Sequence, residues 1–269
     1  MKKAIKILCL AFAVIMALSC FAGCGKKDPV IVVGYTIYEP MNYQDENGKL
    51  IGFDTELAEK VFANLGYDVS FKEIEWTNKY TDLNSGAIDC VWNGFTCNAT
   101  DDDGIARSAK VDFSYNYMEN QQVVVVKKGA NITAAADLAE KIGVAESGSA
   151  GESYAKGFEG STFKGALKQT DALMDVNAAT ADFAVVDAQL AKSYCGKGDY
   201  ANLEIVDALT SDVEFYAIGF KKGSELTAKV NAELEKLGAD GTIKALGEKY
   251  NVVNSVITDY SSQKQADEK

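Results

Sequence analysis

The feature that most restricts the fold of this chain is an alternation of strand and helix patterns that begins twice. Val30 to Gly34 is a continuous apolar segment, typical of a strand buried in a parallel sheet. An amphipathic helix follows, capped by Asp54 and ending between Leu65 and Gly66. Because alternating strands and helices pack in layers, this part of the chain predicts an α/β unit.

The alternation begins again at Gln122 to Val126, a second apolar strand pattern. Further strands are predicted at 142–145 and 183–186, with helices around them. A strand pattern from Glu214 to Phe220 and two helices within 224–250 then close the chain. These two helices remain after the second α/β unit is complete, so we expect the chain to return to the first unit.

A chain that leaves one unit, builds another and returns crosses between them twice. The crossings are predicted near 118–122 and 213–216. Paired crossings form a hinge, and ligands favour clefts between domains. The predicted boundaries are lobe one at 30–118 plus 217–260, lobe two with the hinge strands at 119–216, and a flexible tail at 261–269.

The N-terminus has the pattern of a secretion signal. A basic start precedes the apolar run from Ile7 to Leu18, which is shorter than the about 20 residues that span a bilayer. The segment Phe21-Ala22-Gly23-Cys24 resembles the lipobox of bacterial lipoproteins. We expect residues 1–23 to be a lipoprotein signal peptide, Cys24 to carry the lipid, with acyl chains such as palmitate, and 24–29 to form a tether. The alternative is an ordinary cleaved signal with an incidental cysteine.

This signal predicts an extracytoplasmic protein on the cell membrane. No segment after the signal is apolar enough to span, so the lipid anchor is the only predicted membrane attachment. The net charge of −12 disfavours nucleic acid as a partner.

The absence of histidine from the sequence restricts its chemistry. It excludes Ser-His-Asp and Cys-His nucleophile systems and histidine-liganded metal sites. The acidic run Asp101 to Gly104 lacks the carboxylates that a calcium loop needs at its first and twelfth positions. We therefore expect a protein without metal, cofactor or catalytic residues.

Cys90 and Cys97 could pair in an oxidising compartment, although a buried thiol is the simpler interpretation of Cys90.

Several segments together resemble one known family. They are Tyr38-Glu39-Pro40-Met41 with Gly52-Phe53-Asp54, Leu83 to Asp89, Val111 to Tyr117, Ile142 to Ala150, Ala181 to Asp187, and Val230 to Thr242. In order and spacing they are similar to the amino-acid-binding proteins of ABC importers, solute-binding family 3. The resemblance implies a two-lobe, type II periplasmic-binding-protein-like fold with two hinge crossings. It also implies a monomer that binds a free amino acid and delivers it to permease subunits of an ABC transporter.

The resemblance implies a carboxylate site on the first lobe. Arg107 is the one arginine of the sequence and stands five residues before Asp112, as the family's carboxylate-binding arginine does. Its planar guanidinium can bind a carboxylate through two parallel hydrogen bonds. Thr96 and the backbone of Gly94 match further carboxylate-binding positions, with Asn93 beside them. Between Thr96 and Arg107 the chain looks longer than most members of the family, with residues 98–104 inserted, and this insertion could shift Arg107.

On the second lobe, Gly148-Ser149-Ala150 opens a helix whose free N–H groups suit an anion. Asp187 ends a buried strand and matches the family's ammonium-binding aspartate, whereas Asp182 begins that strand.

Tyr38 and Trp76 match aromatic positions that sandwich the ligand, although core packing is the alternative. The bound amino acid is left open.

Two rival functions are also left open. The first is an enzyme on the same scaffold, such as a cyclohexadienyl-dehydratase-like protein acting on cyclic acids. The second is a sensor lobe that signals through a partner. The lack of histidine counts against the enzyme, because a general acid would be required near the leaving group.

Overall fold

The computed structural model describes residues 29–267 and contains two five-stranded sheets. The first sheet has the order β4 (Asp68–Glu73), β1 (Val30–Tyr35), β5 (Cys90–Val91), β14 (Gly219–Phe220) and β6 (Asp112–Phe113). The second has the order β10 (Thr162–Ala166), β9 (Ile142–Glu146), β11 (Phe183–Asp187), β8 (Gln122–Lys127) and β12 (Leu203–Thr210). Two short ribbons pair β2 (Tyr43–Gln44) with β3 (Leu50–Ile51), and β7 (Met118–Asn120) with β13 (Glu214–Tyr216).

Helices cover both sheets. The α-helices of the described residues are α1 (Phe53–Asn64), α2 (Lys79–Ser85), α3 (Arg107–Lys110), α4 (Ala150–Lys156), α5 (Gln169–Asn177), α6 (Ala188–Tyr194), α7 (Leu226–Ala239), α8 (Thr242–Lys249) and α9 (Ser261–Asp267). Short 3-10 turns lie at Trp76–Asn78, Ala135–Leu138 and Gly198–Tyr200. Because the central strands are apolar on both faces, each sheet buries side chains against helices on two sides.

The chain passes between the sheets twice, and the two passages pair with each other. β7 and β13 are antiparallel, with Met118 opposite Tyr216 and Asn120 opposite Glu214. β14 then returns to the first sheet, where it pairs with β5 and β6. The predicted two-lobe α/β fold with two hinge crossings is confirmed, while the exact lobe boundaries stay a prediction.

Local details differ from the sequence predictions. Gly52, not Asp54, precedes α1 as its cap, because the Asp54 carboxylate is buried and accepts hydrogen bonds from the Gly94 N–H and the Tyr117 hydroxyl. The pattern at 214–220 is two strands, β13 and β14, in different sheets. Strands β10 and β12 were not predicted.

Residues 261–267 form the short helix α9, and the flexibility expected of the tail stays a prediction. The Gln263 side chain accepts from the Asn116 N–H and donates to the Asn116 carbonyl, which ties this helix to the first lobe.

The predicted signal, lipobox, Cys24 and most of the tether lie outside the described residues. Among residues 29–267, no helix has the length and apolar character needed to cross a membrane. Cys90, Cys97 and Cys195 are free thiols, and Cys90 is fully buried.

Candidate ligand-binding site

A cavity lies between the two lobes, and five residues of each lobe line it. They are Trp76, Asn93, Gly94, Thr96 and Arg107 from the first lobe, and Glu146, Ser149, Ala150, Gln169 and Asp187 from the second. Eight of the nine residues predicted to bind ligand are in this set, and Tyr38 is the exception. The cavity therefore joins segments that are far apart in sequence.

Arg107 begins α3 and is 1% exposed. Its Nε donates to Asp101 Oδ1 at 2.8 Å, Nη1 to the Thr96 carbonyl at 3.1 Å, and Nη2 to the Gly148 carbonyl at 3.1 Å. A guanidinium has five N–H groups, so two remain for a further acceptor. The segment 98–104 thus supplies Asp101, an anion that holds Arg107 at the cavity.

Asp101 is itself held by several donors. Tyr80 donates to it at 2.6 Å and Lys110 at 2.8 Å, in addition to Arg107. Burial would raise the pKa of the Asp101 carboxyl, but these hydrogen bonds and the Arg107 charge outweigh burial and lower the pKa to about 2. Asp101 is therefore charged near neutral pH.

Asp187 ends β11 on the opposite side of the cavity and is 6% exposed. Its carboxylate accepts from the side-chain amides of Asn120, Gln122 and Gln169, and its backbone N–H donates to Gln169 Oε1 at 2.8 Å. Burial raises the pKa of Asp187, and the amides oppose this shift. Neutral donors thus orient a carboxylate toward the cavity without neutralising it.

A second carboxylate from the hinge lies beside Asp187. Glu214 on β13 accepts from Asn120 Nδ2 and Gln122 Nε2, each at 2.7 Å, so both amides bridge the two acids. Burial and the charge of Asp187 raise the pKa of Glu214 to about 7. Glu214 of the hinge is thereby connected to Asp187 of the cavity through the shared amides of Asn120 and Gln122.

Glu146 is a third acid at the site, and sequence analysis did not select it. It ends β9, lines the cavity and is 3% exposed. Within the described part of the chain, its Oε1 has no hydrogen-bond partner. The available signal was its position, since Glu146 ends a buried strand of the second sheet just as Asp187 does.

The helix start at 148–150 lines the cavity and also makes contacts within and between the lobes. Ser149 Oγ caps α4 by accepting from the Glu152 N–H at 3.0 Å, while Ala150 lines the cavity beside it. The Gly148 carbonyl accepts from both Arg107 and Lys79, at 3.1 Å each. This carbonyl therefore joins the lobes at the rim of the cavity.

The two predicted aromatic walls have different positions. Trp76 lines the cavity, packs edge-on against Phe95 at 5.1 Å, and has an indole N–H without a partner among residues 29–267. Tyr38 is buried behind Gly94, and its hydroxyl hydrogen-bonds that of Tyr216 at 2.8 Å. Trp76 is thus available to a ligand, and Tyr38 supports the floor.

Asn93 and Thr96 are also engaged in the structure. Asn93 Nδ2 donates to the Thr36 carbonyl and to Asn42 Oδ1, and its Oδ1 accepts from the Thr36 hydroxyl. The Thr96 side chain hydrogen-bonds Glu214, and its carbonyl accepts from Arg107. Both residues therefore shape the site partly by holding its other members.

Comparison with known proteins identifies the family. Residues 30–253 match the family described as "Bacterial extracellular solute-binding proteins, family 3". The chain belongs to this family. Members of this family are substrate-binding transport proteins, and the type II fold and the family resemblance predicted from the sequence are confirmed.

Individual relatives are named for different ligands. The chain is 26% identical to the arginine-binding extracellular protein ArtP of Bacillus subtilis (strain 168), over 93% of this chain and 98% of that protein. It is 29% identical to the L-cystine-binding protein TcyA of the same strain, over 93% and 97%. An ancestral arginine-binding protein bound to arginine has a TM-score of 0.75 and 33% identity, over 83% of this chain and 99% of that one.

An ancestral amino acid-binding protein described as a precursor of cyclohexadienyl dehydratase is also similar. Its TM-score is 0.73 and its identity 29%, over 82% of this chain and 95% of that one. The same fold therefore includes a forerunner of an enzyme.

Proposed function

We propose that this extracellular solute-binding protein captures a free amino acid in the cavity between its lobes and delivers it to an ABC transporter permease. The relatives named as binding arginine or cystine support an amino acid as the solute. One observation of the structure carries the proposal: Arg107 and Asp187 line the same cavity from opposite lobes.

In this proposal the two ends of the amino acid bind to opposite lobes. The carboxylate accepts from the two N–H groups of Arg107 that its protein partners leave, and the ammonium donates to Asp187. Both protein groups are buried and held by fixed partners, so their side chains are already oriented for the ligand. Trp76 supplies an apolar wall beside the ligand side chain.

Closure of the lobes follows from the same arrangement. The ligand contacts both lobes only when they approach, and a ligand shifts a conformational equilibrium by its difference in affinity between states. The Gly148 carbonyl, which accepts from Arg107 and Lys79, adds contacts between the lobes in the closed form. Opening of the hinge at the permease then releases the amino acid.

The proposal includes the cellular setting. The sequence pattern at 1–24 favours export and a lipid on Cys24, which would hold a monomer at the outer face of the cell membrane. A tether at 24–29 and lobes with boundaries near 118 and 217 complete the proposed organisation.

The test is calorimetry with free amino acids and the Arg107→Met variant. We expect the variant to lose at least about 100-fold in affinity, because removing one partner of a buried charge pair leaves the other charge uncompensated. Lys60→Met, which removes an exposed cation from the same lobe, is the matched control and should bind normally. Unchanged affinity in Arg107→Met, with normal thermal unfolding, would contradict the site.

The enzyme alternative has one structural argument in its favour. Glu146 and Glu214 are buried carboxyls with raised pKa, near 8 and 7, and such groups can act as general acids without histidine. We nevertheless propose that the protein is not an enzyme, because the match is to a family of binding proteins. Incubation with cyclohexadienyl acids, followed by detection of the aromatic product, tests this choice.

A further inference from the structure

Glu146 is the acid at the cavity to which the proposed binding of an amino acid gives no partner. Of the ten lining residues, Arg107 is basic and Asp187 and Glu146 are acidic. The ligand carboxylate and ammonium use Arg107 and Asp187. Glu146 then remains, nearly fully buried and with an oxygen that accepts from none of residues 29–267.

Lys79 is the other cation near the site, and its contacts lie elsewhere. Its Nζ donates to the backbone carbonyls of Trp76 and Gly148, at 3.3 and 3.1 Å, and lies 4.8 Å from the Tyr80 ring centre. Burial and the charge of Arg107 lower the pKa of Lys79 to about 7. The charge of Lys79 opposes the rise in the pKa of Glu146, but its Nζ donates to the two carbonyls and not to the Glu146 carboxyl.

We propose that the site selects an amino acid with a cationic side chain, a guanidinium or an ammonium, and that Glu146 is the specificity-determining residue that pairs with it. This inference rests on the proposed function and adds the substrate class. A cationic side chain is the ligand group that can pair with the Glu146 carboxylate, because a buried carboxylate is unfavourable unless it is paired. A neutral side chain leaves Glu146 as a buried, protonated acid without an ion-pair partner, and an acidic side chain adds a further acid to the cavity.

The proton balance of binding gives a second, independent readout. Burial and the charge of Asp187 raise the pKa of Glu146 to about 8, with a smaller contribution from Asp171, while the charges of Lys79 and Lys168 oppose this shift. Free Glu146 therefore holds a proton near pH 7. A cationic side chain displaces this proton into the buffer, whereas a neutral side chain leaves it in place.

The experiment compares two ligands of nearly equal shape, L-arginine and its uncharged analogue L-citrulline, by calorimetry with the full folded protein. We expect arginine to bind at least about 30-fold more tightly, because removing one partner of a buried charge pair lowers affinity by about this factor or more. In Glu146→Gln that preference should fall to within a few-fold, mainly through weaker arginine binding. Titrations in two buffers of different ionisation enthalpy should show more proton release with arginine than with citrulline, and this excess should disappear in the variant.

Glu204→Gln removes an exposed acid of the same lobe and should keep both the preference and the proton release. Tighter binding of citrulline, glutamine or cystine than of arginine and lysine, or an unchanged preference in Glu146→Gln, would overturn this inference but not the proposed function, provided that binding still requires Arg107. Failure of every amino acid to bind would instead reject the proposed function itself.

Discussion

Gly94 shows how a single residue joins the core to the site. Its φ is +58°, in the left-handed region that favours glycine, and its N–H donates to the buried Asp54 carboxylate at 2.9 Å. A Cβ at this position would lie 2.7 Å from Tyr38 Cε1 and 3.0 Å from Tyr216 Cε2. The floor of the cavity therefore has room only for glycine.

The prediction at this scale concerns Gly94→Ala. Strained φ and a clash with two fixed aromatic rings should together lower the free energy of unfolding by about 3 kcal/mol. Gly66→Ala is the matched control, since Gly66 has φ +79° but no atom within 4 Å of the added carbon. It should lose only about 1 kcal/mol in urea denaturation. Equal losses in the two variants would refute the steric argument.

The loop 98–104 contacts both the ligand-binding Arg107 and the second lobe. Asp101 faces inward and holds Arg107, Lys110 and Tyr80. Asp102, its neighbour, faces the second lobe and pairs with Lys156 of α4. One loop thus positions the ligand-binding cation and also contacts the opposite lobe.

The two adjacent aspartates should differ in their effect on ligand binding. Asp101→Asn is expected to weaken binding about 30-fold, since a hydrogen bond between charged groups at a buried position is worth about 2 kcal/mol. Asp102→Asn should change affinity less than about 5-fold, because the Asp102–Lys156 pair is half exposed and screened by water. Calorimetry on both variants measures this, and a larger effect of Asp102→Asn would show that the rim contact, not the orientation of Arg107, controls affinity.

Across the whole molecule, several acids are buried with raised pKa. Burial raises the pKa of Asp54 and Glu214 to about 7 and of Glu146 to about 8. Each group binds its proton more tightly in the folded state than in the unfolded state. Their stabilising contribution is complete below the unfolded pKa, near 4, and is lost as the pH rises through 7 to 8.

We therefore expect the ligand-free protein to be more stable at pH 5 than at pH 7.5, by at least about 2 kcal/mol. The lowered pKa of Lys79, about 7, acts in the opposite direction only above pH 7. Urea denaturation at the two pH values measures the difference, and Glu146→Gln should reduce it. Higher stability at pH 7.5 would contradict the assignment of these acids as buried and protonated.

Part of the fold and of the site was predictable from the sequence. Strands such as β1, β8 and β11 are buried on both faces, so their apolar residues are contiguous and visible. Strands β10 and β12 lie at the edges of the second sheet, where one face is exposed and the pattern is weak. Tyr38 was predicted at the ligand because its motif matches, yet it lies behind Gly94.

The sequence by itself determined the two-lobe α/β architecture and the return of the chain, because these depend on local periodicity. It also gave the candidates Arg107 and Asp187, through a lone guanidinium, the end of a buried strand and the resemblance to a known family. Only the tertiary structure decided which polar groups share the cavity. Glu146 and Gln169 line the cavity from a strand end and a helix start, and Glu214 of the hinge shares amide donors with Asp187. Apart from the strand-end position of Glu146, no local pattern distinguishes these residues from surface residues. These residues become buried and acquire their partners when distant segments meet. Burial changes the pKa of an acid and therefore its ability to pair with a charged ligand.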